Sequence, residues 1–256
     1  TNLDINGTVT IGAGTTLDGQ SFEVYVAGNW INNNLFTQTG DGTIIFDGGN
    51  QQIDNTGTGT SRFNKVTFGG TGTKTFYKAS EIWGDLVINS GCGVNFSTFI
   101  IDGGVAINSF TNNGIMYLDG ANNFPTTFES YSMSSSSDVY YRYAAGNQIM
   151  KSNDADFPSY GDVFLQNNST TNYNKTPDGG ELVLTGSLTI SHTDVILDMN
   201  TNSTNMTLTG TIVMPTGGQQ INWGTGTTKL THMGADWNID PDITGFNNIE
   251  FAGTAP

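Results

Sequence analysis

The chain has 256 residues, with eight Lys and Arg against 23 Asp and Glu, a formal net charge of −15. The basic residues are scattered singly, so the clustered cationic footprint is absent, which argues strongly against nucleic acid as a partner and disfavours an anionic membrane surface. The single cysteine, Cys92, rules out an intrachain disulfide framework and reads as a small core hydrophobe beside a turn.

Only 12% of residues are charged, 34 are Gly, and Thr, Asn and Ser fill most of the other polar positions. That surface suits tight turns and short strands. No stretch shows apolar residues at i, i+3, i+4 and i+7, and none is long and apolar enough to insert directly into a membrane.

Short alternating runs predict strands in chain order at Leu3-Asp4-Ile5, Val9-Thr10-Ile11, Phe22 to Val26, Ile44-Ile45-Phe46, Leu86-Val87-Ile88, Val105-Ala106-Ile107 and Ile115 to Leu118. Further runs follow at Val139-Tyr140-Tyr141, Leu182-Val183-Leu184, Leu188-Thr189-Ile190, Val195-Ile196-Leu197, Met206-Thr207-Leu208 and Ile212-Val213-Met214. Gly, Asn, Asp or Thr bounds each run, as expected of strands between tight turns. Ser132 to Ser137 breaks the rhythm and reads as a surface loop or a lengthened coil, and residues 125–180 depart from the pattern around it.

A longer phrase recurs. Gly49-Asn50-Gln51-Gln52-Ile53 leads to Phe63 and Val66-Thr67-Phe68; Gly146-Asn147-Gln148-Ile149 leads to Phe157 and Val163-Phe164-Leu165; Gly218-Gln219-Gln220-Ile221 leads to Phe246 and Ile249-Glu250-Phe251. Ordered phrases at slightly elastic intervals indicate a repeat architecture. Gly-x-aliphatic phrases begin at Gly84, Gly104, Gly186 and Gly210, and the steps from Gly84 to Gly104 and from Gly186 to Gly210 have the length of one solenoid coil. The expected fold is therefore all-β, a right-handed parallel β-helix (β-solenoid) of short strands. Residues 1–256 form one segment of about eleven coils, roughly 50 Å long at the strand spacing. Ile5, Val24, Ile44, Val66, Leu86, Ile88, Val105, Ile107, Leu184, Leu188, Ile190, Leu208 and Ile212 should share one core. Because the chain starts without Met and ends on the opening phrase of a repeat, it reads as part of a longer repetitive protein.

The run Ala27-Gly28-Asn29-Trp30-Ile31-Asn32-Asn33, with Gly42 to Ile53 and Phe63 to Phe68, resembles the repeats of giant cell-surface adhesins of Bacteroidota-type bacteria, similar to gliding-motility adhesins. The resemblance implies type IX secretion, an extracellular location at the bacterial cell surface, and anchoring by outer-membrane secretion machinery. It also implies contact with surface polysaccharide or with an abiotic or biotic surface. It carries no catalytic motif to transfer, and the expected catalytic, cofactor-binding and metal residues are none.

The alternative is a carbohydrate-binding or polysaccharide-degrading β-helix. Asp154-Ala155-Asp156 is the closest carboxylate pair, and on a strand these two would face one side; no base or His stands beside it to complete an acid–base site. The only arginines are Arg62 and Arg142, which leaves few candidates for a lyase base. His192 and His232 lie far apart without a Cys partner, against a zinc site. Gly69 to Phe76 resembles a calcium-binding glycine-rich repeat, but Lys74 stands where the motif needs Asp. The Asp-Gly pairs at Asp18, Asp41, Asp47, Asp102 and Asp119 are turn signatures first, with calcium as the second reading. Trp30, Trp83, Trp223 and Trp237 could stack on sugars, although strand positions favour a packing role for most of them.

Overall fold

Strands of two to five residues with one apolar face cannot stand alone, and they gain a core only by stacking. The computed structural model describes residues 2–55, 62–104, 108–167, 169–215, 220–231, 245 and 247–252, and in them no helix occurs. Every ladder between named strands there is parallel. Register partners lie 19 to 27 residues apart, one coil of a parallel β-helix. The chain forms two compact units, residues 1–117 with 123–132, and residues 118–122 with 133–256.

In the first unit most coils lay a strand on one face, then on a second, then a short one on a third. The first face stacks Leu3–Ile5, Glu23–Val26, Thr43–Phe46, Lys65–Phe68, Leu86–Ile88 and Ser109–Asn112. The second stacks Val9–Ile11, Trp30–Asn32, Gln51–Asn55, Thr73–Phe76 and Gly93–Asn95. Short pairings such as Arg62–Phe63 with Ser80–Ile82 make the third. Like residues fall on like: Val24, Ile44, Val66, Leu86 and Phe110 form one inward column. Phe46 stacks on Phe68 with ring centroids 5.5 Å apart. Trp30 is buried against Phe36 and Phe63.

The second unit repeats the plan. Asp138–Tyr141, Asp162–Leu165, Leu188–Ile190 and Ile212–Val213 make one face. Gln148–Met150, Tyr173–Pro177, Val195–Asp198 and Ile221–Asn222 make another. Glu181–Leu184, Asn205–Leu208, Thr227–Leu230 and Asn248–Phe251 make the third.

Of the expected core residues, Val24, Ile44, Val66, Leu86, Ile88, Leu184, Leu188, Ile190, Leu208 and Ile212 are buried. Ile5, on the first strand of its face with a neighbour on one side only, is half-buried. Val105 and Ile107 lie outside the described residues.

Two spacings part company. Gly210 N donates to Gly186 O at 2.9 Å, so that step is one coil. Gly84 instead stacks on Asn64, donating to its carbonyl at 2.6 Å, and the strand after Leu86–Ile88 on that face is Ser109–Asn112. Gly104 sits in a turn at φ +75°, its N–H held 2.9 Å from Asp102 Oδ1, and lies against the Trp83 ring. The extra turn lengthens this coil and moves Gly104 out of register. The third copy of the long phrase also departs: Ile249 and Phe251 are exposed where Val66 and Phe68 are buried. Within the irregular stretch, Ser132 belongs to the strand Ser130–Met133, and Ser134 to Ser137 is one tight turn closed by Ser137 N on Ser134 O at 3.0 Å. Where coils meet at turns the backbones nearly touch. Gly70, at φ +65°, has no room for a Cβ, which would overlap the Asp47 carbonyl of the coil below.

Candidate functional site

The recurring Gln of the long phrase points inward. Gln51 Nε2 donates to the carbonyls of Val26 (2.8 Å) and Gly28 one coil below, while its Oε1 accepts from Gly48 N at 3.1 Å. Gln148 repeats the arrangement: Nε2 donates to Leu118 O (3.0 Å) and Gly120 O (2.8 Å), and Oε1 accepts from Tyr143 N at 3.1 Å. Directly above each Gln in register stands a fully buried lysine. Lys74 Nζ donates to Gly48 O and Thr71 O, both at 2.8 Å. Lys175 Nζ donates to Tyr143 O and to Gln148 Oε1, both at 2.8 Å. These clips satisfy turn carbonyls that stacking would otherwise leave dry. Burial lowers the Lys74 ammonium below the ordinary lysine range and brings Lys175 down to about 7, with Asp119 pulling the latter upward.

The residue before the Gln has its own part. Asn50 Oδ1 accepts from Thr73 N (2.8 Å) and Asn147 Oδ1 from Asn174 N (2.9 Å), each one coil above; Asn29, preceded by Gly28, accepts from Gln52 N at 2.8 Å. Gly-Asn ahead of a strand is therefore a coil-to-coil staple. Between Asn29 and Tyr77, the outer side of the second face of the first unit forms a polar groove of about 410 Å³, lined by Asn29, Asn50, Gln51, Gln52, Thr73, Thr75 and Tyr77. Asp198, which the sequence reading passed over, is buried and accepts from Asn222 Nδ2 (3.0 Å) and Asn174 Nδ2 (3.2 Å) of the coils on either side.

The remaining candidates occupy separate places. Asp154 and Asp156 lie on an exposed loop, not a strand, so alternation does not align them. Asp154 Oδ1 accepts from the N–H groups of Asp156 (3.0 Å) and Phe157 (2.9 Å), and Oδ2 meets Lys151 Nζ at 2.5 Å, a basic neighbour that the sequence reading overlooked. Burial works against ionisation there, but the Lys151 ammonium and the two N–H groups outweigh it and hold the carboxyl below its ordinary range. Phe157 and Tyr160 anchor the loop, and the Tyr160 hydroxyl lies 2.6 Å from that of Tyr141 in the core. Burial raises both tyrosines.

Cys92 is fully buried beside the turn that its N–H closes on Asn89 O, and burial pushes its thiol up. His192 is exposed and 3.2 Å from Asp194; His232 and Trp237 lie outside the described residues. Trp30 and Trp223 are core residues. Trp83 is half-buried with the Arg62 guanidinium 3.3 Å above its ring, and Arg142 clasps Asp119 through Nε and Nη2 at 2.8 and 2.9 Å.

Of the other Asp-Gly turns, Asp18 accepts from Gln20 N and from Thr39 N and Oγ1, contacts that hold its pKa below the ordinary value. Asp41 pairs with Lys65 at 2.7 Å, Asp47 is exposed, and Asp102 closes the turn at Gly104. Among the described residues no three His, Cys, Asp or Glu side chains gather as metal ligands would. In the stretch Gly69 to Phe76 the second half, Thr73–Phe76, is a strand with Lys74 buried inside.

Compared with protein-family models, with curated proteins and with solved structures, the chain gives no match.

Proposed function

We propose that this chain is a structural and adhesive segment of a large bacterial cell-surface adhesin or filament, exported outside the cell, whose work is reach and contact. The observation that carries this reading is that Gln51 with Lys74, and Gln148 with Lys175, are committed to bonds between coils. The residues that recur most regularly in the sequence are thus those that bind one coil to the next, which is the specification of a repetitive scaffold. The resemblance of residues 27–68 to bacterial surface adhesins supplies the location and the adhesive role.

Beads coated with the chain should attach to polysaccharide-coated and bare surfaces more strongly than beads coated with albumin. In parallel, the chain is incubated with acidic and neutral polysaccharides, with and without calcium, and release of reducing or unsaturated ends is followed. Attachment without release supports the scaffold; turnover, or no attachment beyond the albumin control, overturns it in favour of a polysaccharide-degrading β-helix or of a spacer without adhesive surface.

A further inference from the structure

The groove on the second face of the first unit has a chemistry the coil-to-coil staples do not exhaust. Asn29 and Asn50 each use Oδ1 to hold the N–H of the coil above. Their Nδ2 groups have no protein partner among the described residues, nor do the Gln52 amide, the Thr73 and Thr75 hydroxyls or the Tyr77 hydroxyl. Asn29, Gln52 and Thr75 follow one another up the face in register, so their polar ends repeat at the strand spacing of roughly 4.8 Å. Asn50 and Thr73 form a second row beside them, and Tyr77, with 48% of its surface exposed, stands at one wall. No lining residue carries a charge at neutral pH, and Asp54 lies two residues beyond Gln52 on the same side of its strand.

Amide donors and hydroxyls that both give and accept, in a periodic row beside an aromatic ring, match the alternating hydroxyl edges and apolar C–H faces of a sugar chain. The lining offers no cation to pair with an anionic polymer, and the nearby Asp54 carboxylate would repel one. We infer that this groove binds a neutral polysaccharide, with Tyr77 as the stacking residue and Asn29, Asn50, Gln52 and Thr75 as hydrogen-bonding partners. This rests on the adhesive reading above and names its ligand class.

The test is calorimetric titration of the intact chain with neutral hexasaccharides of glucose, xylose and mannose and with hexagalacturonate as an anionic control, repeated for Tyr77→Ala and Gln52→Ala. Among the described residues neither side chain has a protein hydrogen bond, so neither variant should alter the thermal unfolding temperature. Binding of at least one neutral hexasaccharide, weakened tenfold or more in Tyr77→Ala and several-fold in Gln52→Ala, supports the site. No binding at millimolar sugar, preference for hexagalacturonate, or equal binding by both variants overturns it. Bead attachment measured with the same variants separates the two readings. If beads attach equally with all three proteins while no sugar binds, the groove fails and adhesion stands; if none attach, the adhesive reading fails on its own.

Discussion

The Lys175 ammonium donates a 2.8 Å hydrogen bond to the side-chain carbonyl of Gln148 one coil below it, and neither side chain meets water. The same pair of positions is filled by Lys74 and Gln51 in the other unit, where the lysine reaches the Gly48 carbonyl instead. A buried cation is costly unless its hydrogen bonds are complete, so each lysine can be placed inside only because a turn carbonyl and the Gln or its turn await it.

That dependence is measurable. Gln148→Leu and Lys175→Met should each destabilise the chain by about 2–3 kcal/mol, since each strands polar groups in a dry site. The double variant should lose less than the two singles combined, by about 1 kcal/mol or more. Urea unfolding of the four proteins gives the coupling directly; additivity within about 0.5 kcal/mol would show that the contact carries no energy of its own.

Stability should also respond to pH. With its pKa lowered to about 7 in the folded state, Lys175 binds fewer protons folded than unfolded between that value and the ordinary lysine value. The unfolded chain therefore holds the extra proton across this window, and stability rises with pH from about 7 toward 10. Lys74 shifts in the same direction. Thermal unfolding across this range should show the rise, and a smaller one in Lys175→Met; a flat profile would contradict it.

Leu188 stacks between Val163 and Ile212 and is fully buried. Leu188→Asp places a carboxylate in that column and should cost several kcal/mol. Coils support chiefly their neighbours, so hydrogen exchange should accelerate most in 162–165 and 212–213 and less in coils further away. Uniform acceleration over the whole chain would show global rather than local coupling.

Replacing Asp154 and Asp156 together by Asn removes an exposed ion pair to Lys151 and should change stability by no more than about 1 kcal/mol. Asn keeps an Oδ1 that can accept the two loop N–H groups. Bead attachment should be unchanged, and loss of attachment would place these carboxylates in the adhesive surface.

The repeat, the strand class and most of the core were legible in the chain itself. Alternation in runs such as Leu188-Thr189-Ile190 needs only a period of two to be read, and the Gly186-to-Gly210 step measures a coil wherever no turn has been inserted. The polar strands were not legible. Thr73-Lys74-Thr75-Phe76 looks like a solvated loop until Lys74 is seen to point inward, and nothing local reveals that its acceptors are Gly48 O, 26 residues earlier, and Thr71 O. Likewise Gly-Asn-Gln was visible as a phrase but not as a staple and a clip, because the N–H that each Asn holds and the carbonyls that each Gln Nε2 reaches lie one coil away. Local pattern determines which residues can form strands and which face of each is apolar. Register between coils decides which polar groups are consumed inside and which, from Asn29 to Tyr77, are left facing outward, because hydrogen-bond partners 20 or more residues apart are set only when the coils stack.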